Sequence, residues 1–384
     1  MEVQPLVEEL GDYPFTELDD ARARAAESGE SLIDFGVGEP AEPVPGFIRD
    51  EMLAAIPDEE IARYPLAAGM ADLRSAIAGW IDRRYGVEVD PEIEVLPTLG
   101  TKEAIFHLAG LLHWPGSHRD LVVVTSPGYP VPARSARLAG AGVVELPLDP
   151  DNDWLPRIDE IPEEAWHRIS IIWINSPNNP TGAVVPLDFY EELAARCRRH
   201  GVVLASDEAY SDVWFGEPPP SVLQLSDPTH ILAFHSLSKR SAIPGYRSGF
   251  VCGDPLLIGA MRQLRPSMGV TPQLFVQRAS IAAWSDDAHA EEMRARYAAK
   301  RDVMLPALVN AGLEDAGGDA SFFLWMRAPA GDERAAMKKL LSAGILAAPG
   351  SIFGEGGAGY LRFALVPTLG ECGRAAEILG NLEL

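Results

Sequence analysis

Cysteine is scarce in this chain: Cys197, Cys252 and Cys372 are the three it has, far apart and without a CxxC spacing. They suggest neither a disulfide framework nor a zinc site, and a reducing compartment suits them, which predicts a cytoplasmic protein. Positive charge is scarce too. The 32 lysines and arginines face 56 acids, a formal charge of −24, so repulsion excludes a general affinity for nucleic acid or anionic membranes. The eight histidines show no HExxH and no paired ligand spacing, so no metal is expected, and His107 and His235 read as core or rim residues. No stretch approaches the ~18 uninterrupted apolar residues of a membrane span, and the opening MEVQPLVEELGDYPF lacks the basic start and apolar run of a secretion signal. Internal repeats are absent, and the Pro/Gly-rich pieces at 37–46, 216–220 and 354–359 are short enough for loops. Lysine is the scarcest basic residue: only Lys102, Lys239, Lys300, Lys338 and Lys339 among the 32. A sequence this sparing with lysine keeps it at few places.

What is present is a chain of 384 residues with 47% apolar content, enough for a large domain and a smaller one, each with its own core. The middle alternates strand-like and helix-like segments. TKEAIFHLAGLLH at 101–113 puts Ile105, Leu108, Ala109 and Leu112 on one helical face, and LVVVTSP at 121–127 is an apolar run ending at proline. The runs ISIIWIN at 169–175, VVLAS at 202–206, HILAFHS at 230–236 and GFVCG at 249–253 read as strands buried on both faces, the rhythm of a parallel α/β sheet. From about 286 the pattern changes to a long charged helix, then FFLWMRA, a helix around Arg334 to Ala343 and a last strand at 360–365. The division expected is an arm and part of the small domain over 1–45, a large domain over 46–285 and a small α+β domain over 286–384. GEGGAG at 354–359 precedes a strand and opens no helix, so it reads as a flexible connection and not a dinucleotide loop.

The conspicuous polar residues fall just past the strand ends, the edge at which open α/β sheets bind ligands. Gly100, Thr101 and Lys102 stand at a helix start, where free N–H groups and the helix dipole suit a phosphate. SPNNPTG follows the strand at 169–175, and Asn-Pro-Thr-Gly is turn chemistry. Asp207, Glu208, Ala209 and Tyr210 follow VVLAS; acids at such a place are often helix caps. Ser236, Leu237, Ser238 and Lys239 follow HILAFH, with Arg247 and Gly249 behind them. Two hydroxyls, an amine and a guanidinium near one strand end make an anion site with an amine nucleophile.

Taken together, NSPNNPTG, DEAY, SLSKRSAIPGYRSG and YLRFAL stand in the order and spacing of the fold-type I, class I/II aminotransferases, which the chain resembles from about Asp34 to Arg362. It departs at Ser248, where the lysine signature usually has an apolar residue, and at Arg240 beside the lysine. The resemblance implies a pyridoxal-phosphate (PLP) enzyme with a large, mostly parallel sheet between helices and a smaller α+β domain. It gives Lys239 as the Schiff-base lysine and proton shuttle, and Asp207 as the partner of the ring nitrogen. Asn179 and Tyr210 become donors to the ring oxygen, and Tyr129 the stacking aromatic. The phosphate ligands would be Thr101, Lys102, Ser236, Ser238 and Arg247. Tyr64 in RYPLAAGMADLR resembles the tyrosine that reaches the neighbouring subunit's phosphate, which implies a homodimer with shared sites. Arg362 receives the substrate α-carboxylate, and Gly38 in FGVGEP lies on the segment that closes over the substrate.

The reaction implied is amino-group transfer between an amino acid and a 2-oxo acid. A β-lyase acting on a cysteine S-conjugate would use the same groups, and a non-catalytic PLP-binding regulator is a third class, disfavoured because no basic helix-turn-helix segment is spare. Over the whole chain, LPTLGTKEAI, INSPNNPTG, FHSLSKRS and AAPGSIFG most resemble the N-succinyldiaminopimelate aminotransferases of lysine biosynthesis, with 2-oxoglutarate as acceptor. LL-diaminopimelate, aspartate and aromatic amino acids are the alternatives. For the distal carboxylate, Arg240, Arg262 and Arg265 are the candidate cations.

Overall fold

The computed structural model describes residues 5–28 and 31–384. Among the described residues the strands are, in chain order, β1 (Ile33–Asp34), β2 (Val95–Thr98), β3 (Leu121–Ser126), β4 (Gly142–Pro147), β5 (Ile169–Asn175), β6 (Val203–Asp207), β7 (Ile231–Ser236), β8 (Gly249–Gly253), β9 (Glu314–Asp315), β10 (Phe323–Arg327), β11 (Ile345–Leu346), β12 (Ala348–Pro349) and β13 (Tyr360–Ala364). Seven of them form one sheet in the order β2-β8-β7-β6-β5-β3-β4.

The apolar runs expected as strands are β3, β5, β6, β7 and β8, each buried along nearly its whole length. Alternation along a strand sends successive side chains to opposite faces, and both faces are covered. Ile172, Ile174, Leu204 and Ala233 pack with the helices at Ala71–Tyr85, Leu187–His200 and Leu274–Ser285. Ile171, Trp173, Val203, Ala205 and Phe234 pack with those at Thr101–Leu112, Val131–Leu138 and Pro255–Met268. The sequence pattern missed β2 and β4, the two edges of the sheet. The first contains Pro97, tolerated on an edge, and the second is largely exposed.

The large sheet is mostly parallel, as expected, and β8 is the exception. It pairs antiparallel with both β7 and β2, while β3, β4, β5, β6 and β7 run parallel to one another. A parallel return needs a crossover of about a dozen residues or more, usually a long helix. The connection 237–248 holds only a four-residue helix and a short 3-10 turn, and Ser236 pairs with Gly249, so the chain turns back at the same sheet edge. Lys239 and Arg247 are therefore held together at that edge.

A second sheet, β12-β13-β10-β9, is antiparallel and packs with the helices Ala288–Asn310 and Leu369–Leu379 around Met304, Phe322, Leu361 and Phe363. From the other end of the chain, β1 pairs parallel with β11. The GEGGAG run is not an open connection. A side chain at Gly356 would meet the Ser126 carbonyl at 2.7 Å and Pro127 at 2.9 Å, and Gly128 N–H donates to the Phe353 carbonyl at 2.9 Å. Glycine there serves close approach to the end of β3. No helix among the described residues is long and apolar enough to cross a membrane.

Candidate active site

Strand parity builds the floor. Trp173, Ala205 and Phe234 lie in one core layer, so Asn175, Asp207 and Ser236, each two residues on, end on the same face. Asn175 pairs directly with Asp207, its Nδ2 donates to the Asp207 carbonyl at 2.8 Å, and its Oδ1 accepts the Asn179 N–H at 2.7 Å. These side chains line a cavity of about 530 Å³ together with Gly38, Thr101, Lys102, Tyr129, Asn179, Tyr210, Ser238, Lys239, Arg247 and Arg362. Every site residue expected from the sequence is in that wall except Tyr64, whose side chain is 99% exposed. Sequence reasoning missed Tyr13, Phe15, Asp19, Val37, Glu39, Asn175 and Phe323. Asn175 carried a signal, its place at a strand end; the arm aromatics carried none.

Lys239 stands on the four-residue helix Leu237–Arg240, whose N-cap Ser236 accepts the Ser238 N–H. Its amine donates to the Gly38 carbonyl. Burial first, then Arg362, lower its pKa to about 7, so much of it is neutral and nucleophilic at neutral pH. Asp207 accepts the Ala209 N–H at 3.2 Å and has no ion-pair partner among the described residues. Burial raises its pKa to about 7. A buried carboxyl in this state calls for a cation beside it.

Arg362 lies on β13 between Leu361 and Phe363, which face the core of the small sheet, so its own side chain faces the cavity. Nη1 donates to Asn179 Oδ1 at 2.7 Å and Nη2 to the Gly36 carbonyl at 2.8 Å, while Nε has no partner. The guanidinium stands 4.2 Å from the ring centre of Phe323 and 4.6 Å from that of Phe353. Burial lowers its pKa to about 10, which leaves it charged at neutral pH.

The far corner is built for an anion. The helix Thr101–Leu112 has Gly100 as N-cap with no side chain to cap it. Gly100 sits at φ +69°, where a side chain would strike the Arg247 guanidinium. A side chain at Gly249 would come within 3.2 Å of the Thr101 nitrogen, so glycine keeps the helix start open. Arg247 donates to the carbonyls of Pro244 at 2.9 Å and Leu99 at 3.1 Å, and Lys102 lies 5.9 Å from the Tyr129 ring centre. On a chain of net charge −24, four basic side chains, Lys102, Lys239, Arg247 and Arg362, meet at one cavity.

The cations proposed for a distal carboxylate are elsewhere. Arg240 is buried against Asp212, Arg265 is paired with Glu103 at 2.6 Å, and Arg262 donates to the Val95 carbonyl. Neutralising an acid fixes Arg240 and Arg265 in place, and none of the three lines the cavity. The departure at Ser248 is harmless: its buried hydroxyl is 2.7 Å from that of Ser280.

The family model for class I and II aminotransferases matches residues 30–379. The chain belongs to that family. Among curated relatives, the aminotransferase is 38% identical over 362 residues to the LL-diaminopimelate aminotransferase of Nitratidesulfovibrio vulgaris, covering 93% of this chain and 92% of that one. It is 37% identical over 380 residues to that of Aquifex aeolicus, covering 98% and 97%. Of solved structures, an aminotransferase from Neisseria meningitidis superposes with TM-score 0.91 at 35% identity, covering 99% of both chains. A Thermus thermophilus protein described as a probable N-succinyldiaminopimelate aminotransferase gives 0.89 at 30%, covering 96% of this chain and 99% of that one. The aminotransferase is a PLP-dependent enzyme of fold type I, acting on amino acids and 2-oxo acids. Its cavity fits that cofactor: an unpaired buried acid for a ring cation, an amine of lowered pKa, and an open helix start with cations for a phosphate.

Proposed function

We propose that this aminotransferase takes the amino group of LL-2,6-diaminopimelate and passes it to 2-oxoglutarate. The observation that carries the reading is the placing of Lys239 and Arg362 on one cavity, an amine and a carboxylate clamp such as an α-amino acid requires. The substrate is supported by the two relatives named above, matched over nearly their whole length. Asp19 and Glu39 add carboxylates to the wall. They suit a second ammonium, which LL-diaminopimelate carries and its N-succinyl derivative has converted to an amide.

PLP, when bound, supplies an aldehyde that condenses with amines and a ring that accepts the electron pair left by the departing α-proton. Lys239 would hold it covalently through Nζ and, with that amine free, would take the α-proton from the substrate and give it back. Asp207 would keep the ring nitrogen protonated. Tyr210 donates to the ring oxygen with Asn179, whose Oδ1 is already engaged by Arg362, leaving Nδ2 to donate. Tyr129 would cover the ring, and Thr101, Lys102, Ser236, Ser238 and Arg247 would hold the phosphate. Arg362 binds the α-carboxylate with Asn179 beside it, and the Gly38 segment covers the substrate. Tyr64, exposed on a single chain, would reach the phosphate of a second copy in a cytoplasmic homodimer.

The test is a donor comparison on the PLP-loaded protein, with 2-oxoglutarate as acceptor and glutamate as readout. LL-diaminopimelate should give a kcat/KM at least about tenfold above N-succinyl-LL-diaminopimelate, the difference that one lost ion pair makes. The visible band acquired with PLP should vanish in Lys239→Ala. Glutamate from the succinylated donor alone would assign that substrate instead. Pyruvate and ammonia from a cysteine conjugate would make the protein a lyase.

A further inference from the structure

Arg240 follows Lys239 directly, yet it points away from the cavity. Its side chain is 3% exposed, with the guanidinium 5.8 Å from the ring centre of Trp80 and 5.4 Å from that of Trp284. Nε donates to Asp212 Oδ2 at 2.6 Å, Nη1 to the Ala283 carbonyl at 2.7 Å, and Nη2 to the Asp286 carbonyl at 2.9 Å and Asp287 Oδ1 at 2.6 Å. His289 Nε2 lies 3.2 Å from Nη1 and 2.8 Å from the hydroxyl of Ser241.

These partners come from two pieces of chain. Asp212 continues the segment that supplies Asp207 and Tyr210, and its other oxygen takes Arg84 Nε at 3.2 Å. Ala283, Asp286 and Asp287 form the junction by which the helix Leu274–Ser285 gives way to Ala288–Asn310, the helix that packs on the sheet bearing Arg362. Between them stands the helix Leu237–Arg240. Four residues make one turn, too few for a helix to hold its own shape, so its orientation comes from what it is tied to. A lysine stem has four rotatable methylenes, and the anchoring of its backbone decides where the amine rests.

We propose that Arg240 is a positioning residue. It clamps the turn that carries Lys239 to the Asp207–Asp212 segment on one side and to the 283–287 junction on the other, so that Lys239, Asp207 and Tyr210 keep one geometry. Its planar fork is what permits this, because three nitrogens reach four acceptors at once. A lysine, with a single nitrogen, would not span them. The inference rests on Lys239 being the residue that bonds PLP.

Two variants of the PLP-loaded enzyme test it: Arg240→Lys, and Arg240→Met combined with Asp212→Asn, which removes both buried charges so that stability is retained. The expected result is near-full PLP content, a KM for the amino donor within about threefold of wild type, and kcat lower by about ten- to a hundredfold, the effect of a misplacement of about 1 Å. The pH midpoint of the visible band should move by about half a unit, because the surroundings of the Lys239 nitrogen have changed. Wild-type kcat per loaded subunit and an unmoved midpoint, with only the unfolding temperature lowered, would overturn the proposal and leave Arg240 a structural residue. If neither variant folds, Asp287→Asn loosens one anchor at the surface and should lower kcat about fivefold; unchanged kcat there has the same force. A wild-type protein without a PLP band would instead overturn the assignment of Lys239.

Discussion

Without PLP, Asp207→Asn should become steadily more stable relative to wild type as pH rises from 5 to 8. The folded pKa of Asp207 is raised from 3.8 to about 7 by burial. Between those values the unfolded chain has released the proton and the folded chain still holds it, so stability falls as pH rises, and it levels off above the folded pKa. At about 1.4 kcal/mol per pH unit, the part of this window between pH 5 and pH 8 amounts to about 2.5 kcal/mol. Asparagine does not titrate, keeps an oxygen for the Ala209 N–H and removes only this contribution. The assay is urea unfolding of both proteins at the two pH values, and the quantity is the change in their difference. Loading PLP should flatten it, since a cation beside the carboxyl brings its pKa back down. A difference constant within about 0.5 kcal/mol in the PLP-free pair would refute the claim that Asp207 lacks a counter-charge.

Two further outcomes follow from the same cavity. Arg362→Lys keeps the charge but loses the paired bonds to Asn179 and Gly36, so kcat/KM for both amino donor and 2-oxo acid should fall by about a hundredfold; a loss within threefold in steady-state assays would remove Arg362 as the carboxylate clamp. Gly100→Ala puts a methyl against the Arg247 guanidinium at a backbone angle that favours glycine, and should weaken PLP binding about tenfold. Unaltered affinity in equilibrium dialysis would argue against Arg247 as a phosphate ligand.

The central strands were legible because a strand buried on both faces must be apolar throughout, and their ends were legible because chemistry-bearing residues cluster there. The direction of β8 was not, since GFVCG has the same pattern whichever way it runs; the short connection 237–248 decides it. GEGGAG misled for a related reason: glycine serves both loose chain and tight contact, and only the neighbouring Ser126 and Pro127 show which applies. Tyr13 and Phe15 reach the cavity from the start of the chain, a tertiary fact with no local period to announce it. Arg240 was read by its charge as a substrate ligand, whereas the buried Asp212 and the half-exposed Asp287 use that charge for anchoring.

The reversed strand also bears on the order in which the molecule is made. Among the described residues the β2 edge pairs only with β8, some 150 residues later, and β1 waits for β11 near the other end of the chain. A ribosome delivers residues from the N-terminus at about 5–20 per second, so the corner formed by Gly100, Thr101 and Gly249 does not exist until well over half of the polypeptide has emerged. Pairings this distant in sequence slow folding. Cofactor capture is therefore a late event in synthesis, one that waits for β8 to emerge.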